Sequence, residues 1–385
     1  MKAGWLSKPF EDCIEKVTYT TKIQRKDFLV EGKFPIVSQE DLFINGYWND
    51  ADDVFSVSTP IVVFGDHTKV LKYVDFDFVL GADGVKLLPP KEFLLPKFFY
   101  YQLQSVNLDS LGYAQHYKLL RELEFRYPAI SEQQRIVILL DEAFASIATA
   151  KANAEKNLQN VRELFGSQAQ AMLDVTGKDW ERVTLTALLD RGWIVSHLDG
   201  NHGSDYPRKE EFVDSGVPYI SAKALKDGQV DFDESKFLSV ERAATIRKGL
   251  AKDRDVLFAH NATVGPVAVL STAEDVVILG TSLTYYRCDQ RNIHPEYLAH
   301  FMRSPPFVTQ YSQVMGQSTR NQVPITKQRE FIHVIPPIED QLRIAASLDI
   351  LLEQTERLDA IYQQKLDALD ELKKSLLQSA FNCDL

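Results

Sequence analysis

The chain has 385 residues, of which 45% are hydrophobic and 25% charged. That is an ordinary composition for two or three folded domains and excludes a disordered or fibrous chain. The formal net charge of −11 argues mildly against a nucleic-acid partner, although phosphate binding depends on where the bases stand rather than on their total. No apolar run approaches the ~20 residues of a membrane span, and the start, MKAGWLSKPFEDC, lacks an apolar signal core. Cys13, Cys288 and Cys383 are odd in number and far apart. They read as free thiols of a reducing cytoplasm, with neither a disulfide framework nor a zinc site.

In chain order, residues 1–127 form a first block. Short β-type runs (KFPIVS, VFSVSTPIVVFG, KVLKYVDFDFVLG) alternate with Gly, Asp and Asn turns, and FLLPKFFYYQLQ reads as a helix started by Pro96. Residues 128–175 read as one long helix. The stretch contains no proline and carries a single apolar stripe, Ile136, Leu140, Ala143, Ile147, Ala150, Ala154, Leu158, Val161 and Phe165. Ser131 with Gln134 predicts a capping-box start, and at ~1.5 Å per residue the helix would be a rod of roughly 60 Å. Residues 176–334 form a second block of similar make-up, again with a proline-started helix, HPEYLAHFMRS. Residues 335–385 form a second long helix whose stripe is Ile344, Leu348, Leu351, Thr355, Leu358, Tyr362, Leu366, Leu369, Leu372 and Leu376.

The chain repeats itself. Ile130, Gln133, Arg135, Ile136, Leu140 and Asp141 recur as Ile338, Gln341, Arg343, Ile344, Leu348 and Asp349, at a constant offset of 208, and Pro128 recurs as Pro336. Amphipathicity alone does not require identical residues at a fixed offset, so the two rods are expected to pair as an antiparallel coiled coil. Their seam would include Ile136, Leu140, Ile147, Leu158, Ile344, Leu348, Leu351 and Leu358. The blocks look like distant copies. Phe34-Pro35-Ile36-Val37-Ser38 answers Val217-Pro218-Tyr219-Ile220-Ser221. Val79-Leu80-Gly81 answers Ile278-Leu279-Gly280, and Pro96-Lys97-Phe98 answers Pro295-Glu296-Tyr297, both at an offset of 199. The expected fold is α+β: two similar mixed α/β recognition domains separated by two long helices. The last 52 residues carry 10 acids against 5 bases, whereas residues 178–333 carry 20 against 19. The acidity is therefore partly concentrated on the final helix.

No Walker A, GxGxxG, HExxH or GxSxG pattern is present. Ser304-Pro305-Pro306-Phe307 resembles a methyltransferase motif but follows a helix and has no Gly-rich loop before it, so it reads as a proline stop. His197 and His202 read as loop histidines, and Asp75 and Asp77 as the polar face of a strand. No catalytic constellation and no metal site emerge. Polar turns do offer DNA contacts, because Arg can address guanine, and Asn or Gln adenine, with paired hydrogen bonds. In the first block these candidates are Lys33, His67, Lys69, Gln115, His116 and Lys118. In the second they are Lys223, His260, Asn261, Thr319, Arg320 and Asn321.

The duplicated PxIxEQxRIxxxLD run, with Asp340 in place of Glu in its second copy, followed each time by a long helix and alternating with two variable domains, resembles the specificity subunit of type I restriction–modification systems. The resemblance covers essentially the whole chain. It implies two target recognition domains that each read one half of a split duplex sequence. It also implies helices that serve as spacer ruler and docking surface for two modification subunits. AdoMet and the adenine-methylating site would reside in those partners, and ATP and Mg in restriction subunits, so this chain would carry no cofactor and no catalysis. GQSTRNQVPITKQREFIHVIPPI fits the family's segment before the helix, while GYAQHYKLLRELEFRYPAI lacks the STR triplet. Two other readings remain open at this point: the specificity half of another multi-subunit DNA methyltransferase or nuclease, and a coiled-coil scaffold that binds proteins only.

Overall fold

The computed structural model describes residues 4–82, 84–108, 115–173, 180–200, 203, 206–316 and 321–382. The chain divides into two compact units, Met1–Asn157 with Ile361–Leu385, and Leu158–Ala360. The division falls inside the two long helices, whereas the sequence reading drew its boundaries at 127/128, 175/176 and 334/335. Both helices are continuous over 44 residues, Ile130–Leu173 and Ile338–Phe381. The expected capping box is displaced. The first helix begins at Ile130, one residue ahead of Ser131, with the Glu132 and Gln133 amides donating to the Ala129 carbonyl at 3.0 and 3.1 Å.

The first unit is built on strand pairs that the sequence repeat anticipates. Phe34–Val37 lies parallel to Phe78–Gly81, with Ile36 opposite Val79. A second sheet runs Leu71–Val74, Ile61–Gly65, Val85–Leu88. Leu6–Pro9 pairs antiparallel with Glu124–Tyr127, the strand just ahead of Pro128. The helix Pro96–Ser105 buries Phe98 and Phe99 against Phe10, Phe125, Ile136 and Leu140, and Leu377, Ala380 and Phe381 from the end of the last helix join the same core.

The second unit repeats the plan. Val217–Ile220 lies parallel to Val277–Leu279, with Tyr219 opposite Ile278. A four-stranded sheet runs Ile194–Asp199, Leu283–Cys288, Val256–Asn261, Thr263–Val269. Glu181–Thr184 pairs with Ile332–Ile335 ahead of Pro336. The helix Pro295–Arg303 packs Tyr297, Leu298 and Phe301 into a core closed by Leu173, Ile344 and Leu348. Ser304-Pro305 does end that helix, and Pro305 also starts the next one, Pro305–Gly316, as proline at a first helical position allows.

Within each unit the long helices touch. In the first, Lys151 Nζ pairs with Asp370 at 2.7 Å and Lys373 lies over the Phe144 ring. In the second, Arg162 pairs with Asp359. As the first helix advances, its partners on the second step backwards. Along the first helix Ile136, Leu140, Ile147 and Ala154 are buried and Leu158 is half-buried. On the second, Ile344 and Leu348 are buried and Leu351 half-buried, but Leu358 is 41% exposed. The covered positions after Thr355 are Asp359 and Tyr362. With 3.6 residues per turn the stripe steps by four there, not three, and brings Asp359 to Arg162. Leu372, at 47% exposure, falls off the stripe for the same reason.

Candidate nucleic-acid interface

The repeated glutamine explains how each long helix is fixed to its own unit. Gln133 is fully buried. Its Nε2 donates to the carbonyls of Phe93 (2.8 Å) and Pro128 (2.9 Å), and its Oε1 accepts the Leu95 amide (2.8 Å). Gln341 repeats every bond: Nε2 to the carbonyls of Asn292 and Pro336, both 2.8 Å, and Oε1 from the His294 amide at 2.9 Å. Asp141 then accepts from Lys97 Nζ (2.8 Å) and the Tyr101 hydroxyl, while Asp349 accepts from His300 Nε2 (2.7 Å). A side-chain amide suits this task because it offers donors and an acceptor without a charge to desolvate.

This clamp sets the position of the segment preceding each long helix, which is where the candidate contacts cluster. In the second unit the strands Val256–Asn261 and Thr263–Val269 form a hairpin whose turn residue, Ala262, has φ +63°. That is uncommon for a non-glycine residue, and a neighbour holds it. The Ala262 amide donates to the Asn321 carbonyl (2.9 Å), and Asn321 Nδ2 donates to the Ala262 carbonyl (2.7 Å). Asn261 bridges Gln322, and the Val323 amide donates to the His260 carbonyl at 2.8 Å. His260 Nδ1 donates to the Val323 carbonyl at 3.0 Å. At 4% exposure His260 positions the turn rather than offering itself to a phosphate, and burial keeps its pKa below the usual value, hence neutral. Asn321 and Thr263 are exposed and Asn261 half-buried. Thr319 and Arg320 lie outside the described residues. Lys223 is exposed, and Ser282 ties its turn to the hairpin by accepting the Ala222 amide on Oγ and the His260 amide on its carbonyl, both at 2.9 Å.

The first unit joins the same two places by different bonds. The hairpin Ile61–Gly65 with Leu71–Val74 turns through Lys69, at φ +62°. Asp66, 1% exposed, receives the His116 amide on its carbonyl (2.8 Å) and the Tyr117 amide on Oδ1 (2.7 Å). His116, also 1% exposed, returns Nδ1 to the same carbonyl at 2.9 Å. His116 is therefore another positioning residue. Lys69 Nζ is engaged by the Leu108 carbonyl at 3.3 Å. His67 is half-buried, and its amide donates to Gln39 Oε1 at 3.2 Å. Gln115 and Lys118 are exposed. Lys33 departs from the group. It precedes the strand Phe34–Val37, at the end opposite Gln39, and its amide serves Trp48 and Asn49.

Sequence reasoning missed Gln39 and Ser282, the residues that tie the parallel strand pair to each hairpin turn. Both lie within a few residues of the repeated strand motifs, which was the available signal. It also placed His197 in a loop. His197 stands in the strand Ile194–Asp199, 3% exposed, and donates from Nε2 to Gln328 Oε1 at 3.1 Å. Gln328, fully buried, also accepts from Thr284 and Tyr286. Asp77 likewise caps a bend, accepting the Val57 amide at 2.7 Å. His202 lies outside the described residues. Among the described residues no group of three or more His, Cys, Asp or Glu could hold a metal, and no helix is long and apolar enough to cross a membrane.

The geometry can be set beside known proteins. No protein-family model matches the chain. The type I restriction enzyme EcoBI specificity subunit from Escherichia coli is 21% identical over 314 residues, covering 75% of this chain and 65% of that protein. A second Escherichia coli type I specificity subunit is 26% identical over 237 residues, 57% of this chain and 56% of that one. The matched stretches thus span between about half and two thirds of those relatives' length. Among solved structures, a chain from a study of complex assembly and conformational transition in the type I R-M system has a TM-score of 0.74 at 16% identity, covering 100% of this chain and 99% of that one. The HsdS subunit from Thermoanaerobacter tengcongensis has a TM-score of 0.57 at 15% identity, covering 100% and 98%. By sequence the chain is a relative of type I restriction enzyme specificity subunits, and its fold is that of an HsdS subunit.

Proposed function

We propose that the chain is the non-catalytic, sequence-reading subunit of a cytoplasmic DNA methyltransferase and restriction complex. Each unit reads one half of a split duplex target with the hairpin turn and the segment it holds ahead of the long helix. The observation that carries this reading is the recurrence of that arrangement. In both units a hairpin turn with a positive-φ residue is hydrogen-bonded to the residues before the long helix, and exposed Asn, Gln, Lys or Thr side chains stand around it. Phosphate contacts would fix register, and amide or guanidinium contacts to base edges would select sequence.

The antiparallel helices serve as the ruler between the half-sites. They also present a surface, including the repeated pairs Glu132–Arg135 and Asp340–Arg343, in which each arginine is exposed, on which two modification subunits dock. Those subunits supply AdoMet and adenine methylation, and restriction subunits supply ATP- and Mg-dependent cleavage. A scaffold that binds only proteins would have no use for two matched polar turns.

The test is duplex binding by the chain co-expressed with its methyltransferase partner, on specific and scrambled sequences at several salt concentrations. Specific binding that requires the chain is expected; equal affinity for all duplexes would refute the reading. Arg320 is assigned a DNA contact from its sequence position. Arg320→Ala should cost ~1–3 kcal/mol and relax one base position if it reads guanine, or lower the salt slope by about one if it holds a phosphate. A four-residue insertion between Ala152 and Asn157, matched by one in the second helix, adds ~6 Å of rod. At ~3.4 Å per base pair the gap in the methylated site should widen by about one or two base pairs; an unchanged gap removes the ruler.

A further inference from the structure

The second unit holds a concavity of about 520 Å³ that shares no residue with the hairpin turn at Ala262 or the segment Asn321–Val323 bonded to it. That volume lies within the range of small-molecule sites. Its apolar walls come from both long helices, through Phe165, Leu173 and Leu348, and from the sheet domain, through Leu225 and Val267. Among the described residues one cation belongs to this lining, Arg303, at the end of the helix Pro295–Arg303.

Arg303 is half-buried and incompletely bonded. Its Nε donates to the Ala299 carbonyl at 3.1 Å, one turn back, and among the described residues it forms no ion pair. Asp349 is near enough to favour its charge, and Oδ1 of that carboxylate accepts a hydrogen bond from His300 Nε2 at 2.7 Å. Burial works against the guanidinium charge. Gly228, at φ +84°, gives the guanidinium its room, because a Cβ there would stand 2.5 Å from Nη1. A planar fork of donors that no carboxylate pairs among the described residues, facing a largely apolar lining, is an arrangement that favours an oxyanion, which it can bind through two parallel hydrogen bonds. Other half-buried arginines of this unit differ: Arg287 is closed by Asp255 and Arg254 by Glu296.

We propose that this cavity binds a small organic anion, with its carboxylate, sulfonate or phosphate on the Arg303 fork and its apolar body between Phe165, Leu225 and Leu348. The charge of the ligand is bounded by the same lining. Asp227 and Glu356 also border the cavity and would repel a polyanion, so a single anionic group on a flat or branched apolar body fits and a triphosphate or nucleic acid does not. Because both long helices and the sheet domain contribute walls, such a ligand would join them inside the second unit and raise its stability by mass action.

The test uses the full chain and the fluorescent probe 1-anilinonaphthalene-8-sulfonate, an apolar ring system carrying one sulfonate. One saturable site per chain is expected, displaced by 2-naphthoate and not by the neutral 2-naphthalenemethanol. Arg303→Met should weaken the probe at least tenfold, and Arg303→Lys, which keeps the charge but loses the fork, several-fold. Circular dichroism and melting establish that each variant is folded. If Arg303→Met is not, Leu352→Trp decides: it keeps the arginine but fills the cavity, and should abolish the site. No saturable site, equal displacement by the neutral competitor, or unchanged binding in a folded Arg303→Met or Leu352→Trp chain would overturn the proposal.

Discussion

Replacing Gln341 by leucine tests whether the repeated glutamine, rather than the apolar stripe, anchors the long helix. The side chain is fully buried and makes three hydrogen bonds, two to carbonyls and one from an amide, all between 2.8 and 2.9 Å. Leucine has nearly the same volume but satisfies none of the three backbone groups. Each orphaned group costs about 1–3 kcal/mol, and the added apolar burial returns about 1–2 kcal/mol. The net loss should lie within about 1–8 kcal/mol, and a central loss of about 4 kcal/mol lowers the melting temperature by about 10 °C for a unit of this size. Because Gln133 makes the same bonds in the other unit, Gln133→Leu should cost the same to within ~1 kcal/mol. Urea denaturation, with hydrogen exchange to assign each transition to its unit, gives both numbers. A loss below ~1 kcal/mol in either variant would show that water or backbone adjustment replaces the glutamine, and the clamp argument would fail.

Three further outcomes follow from the same geometry. Leu348→Asp places a carboxylate in a site 1% exposed and should cost several kcal/mol, whereas Leu358→Asp, at a position 41% exposed, should stay within ~0.5 kcal/mol; equal losses in thermal melts would mean that the stripe is misplaced. His197 and His333 are buried, and their pKa values are pushed down to about 4 by desolvation. The unfolded chain binds their protons first, near pH 6.5, so stability is full above that pH and falls as pH drops towards 4. Between pH 7 and 5 the loss should be about 2 kcal/mol for each histidine; a flat urea-denaturation stability over that range would contradict it. Asn321→Ala removes the bond that holds the Ala262 turn at 2.7 Å and should weaken duplex binding several-fold with less than ~1.5 kcal/mol of destabilisation; unchanged binding in a mobility-shift titration would take Asn321 out of the interface.

What the sequence disclosed followed from how each signal is generated. The rods were legible because a stripe with helical period and a fixed-offset repeat are one-dimensional properties. Ile136, Leu140, Ile344 and Leu348 needed no tertiary information to be placed in the core. Leu358 and Leu372 were misplaced because apolar character was followed where geometry calls for a step of four, and the covered position is Asp359, whose charge Arg162 meets. The candidate contacts were found as turns but not sorted by exposure. His260 and His116 look like ligands for phosphate in a string of letters. In the fold each donates Nδ1 to a backbone carbonyl far away in the chain, a partnership that spacing cannot reveal. His197 was lost for the same reason, since its partner Gln328 lies far along the chain.

The unequal likeness of the two halves has a physical origin in these contacts. Where the rods join their units, the same backbone groups must be satisfied twice by the same side chain, so Gln133 and Gln341 share one solution and the residues around them stay alike. Where the hairpin turn meets the segment ahead of the rod, each unit meets the same structural need with different chemistry. An aspartate takes two amide protons in the first unit, and an asparagine side chain with a histidine bracket the turn in the second. The scaffold therefore fixes where the turns stand without dictating what they display. That separation lets each unit hold its turn in place while displaying its own exposed side chains: Gln115 and Lys118 in one, Asn321 and Thr263 in the other. Under the proposed bipartite reading, exchanging Gln115 and Lys118 for other polar residues should alter the half-site read by the first unit while leaving the melting temperature and the second half-site unchanged. A coupled loss of both half-sites would show that the turns and the scaffold are not separable.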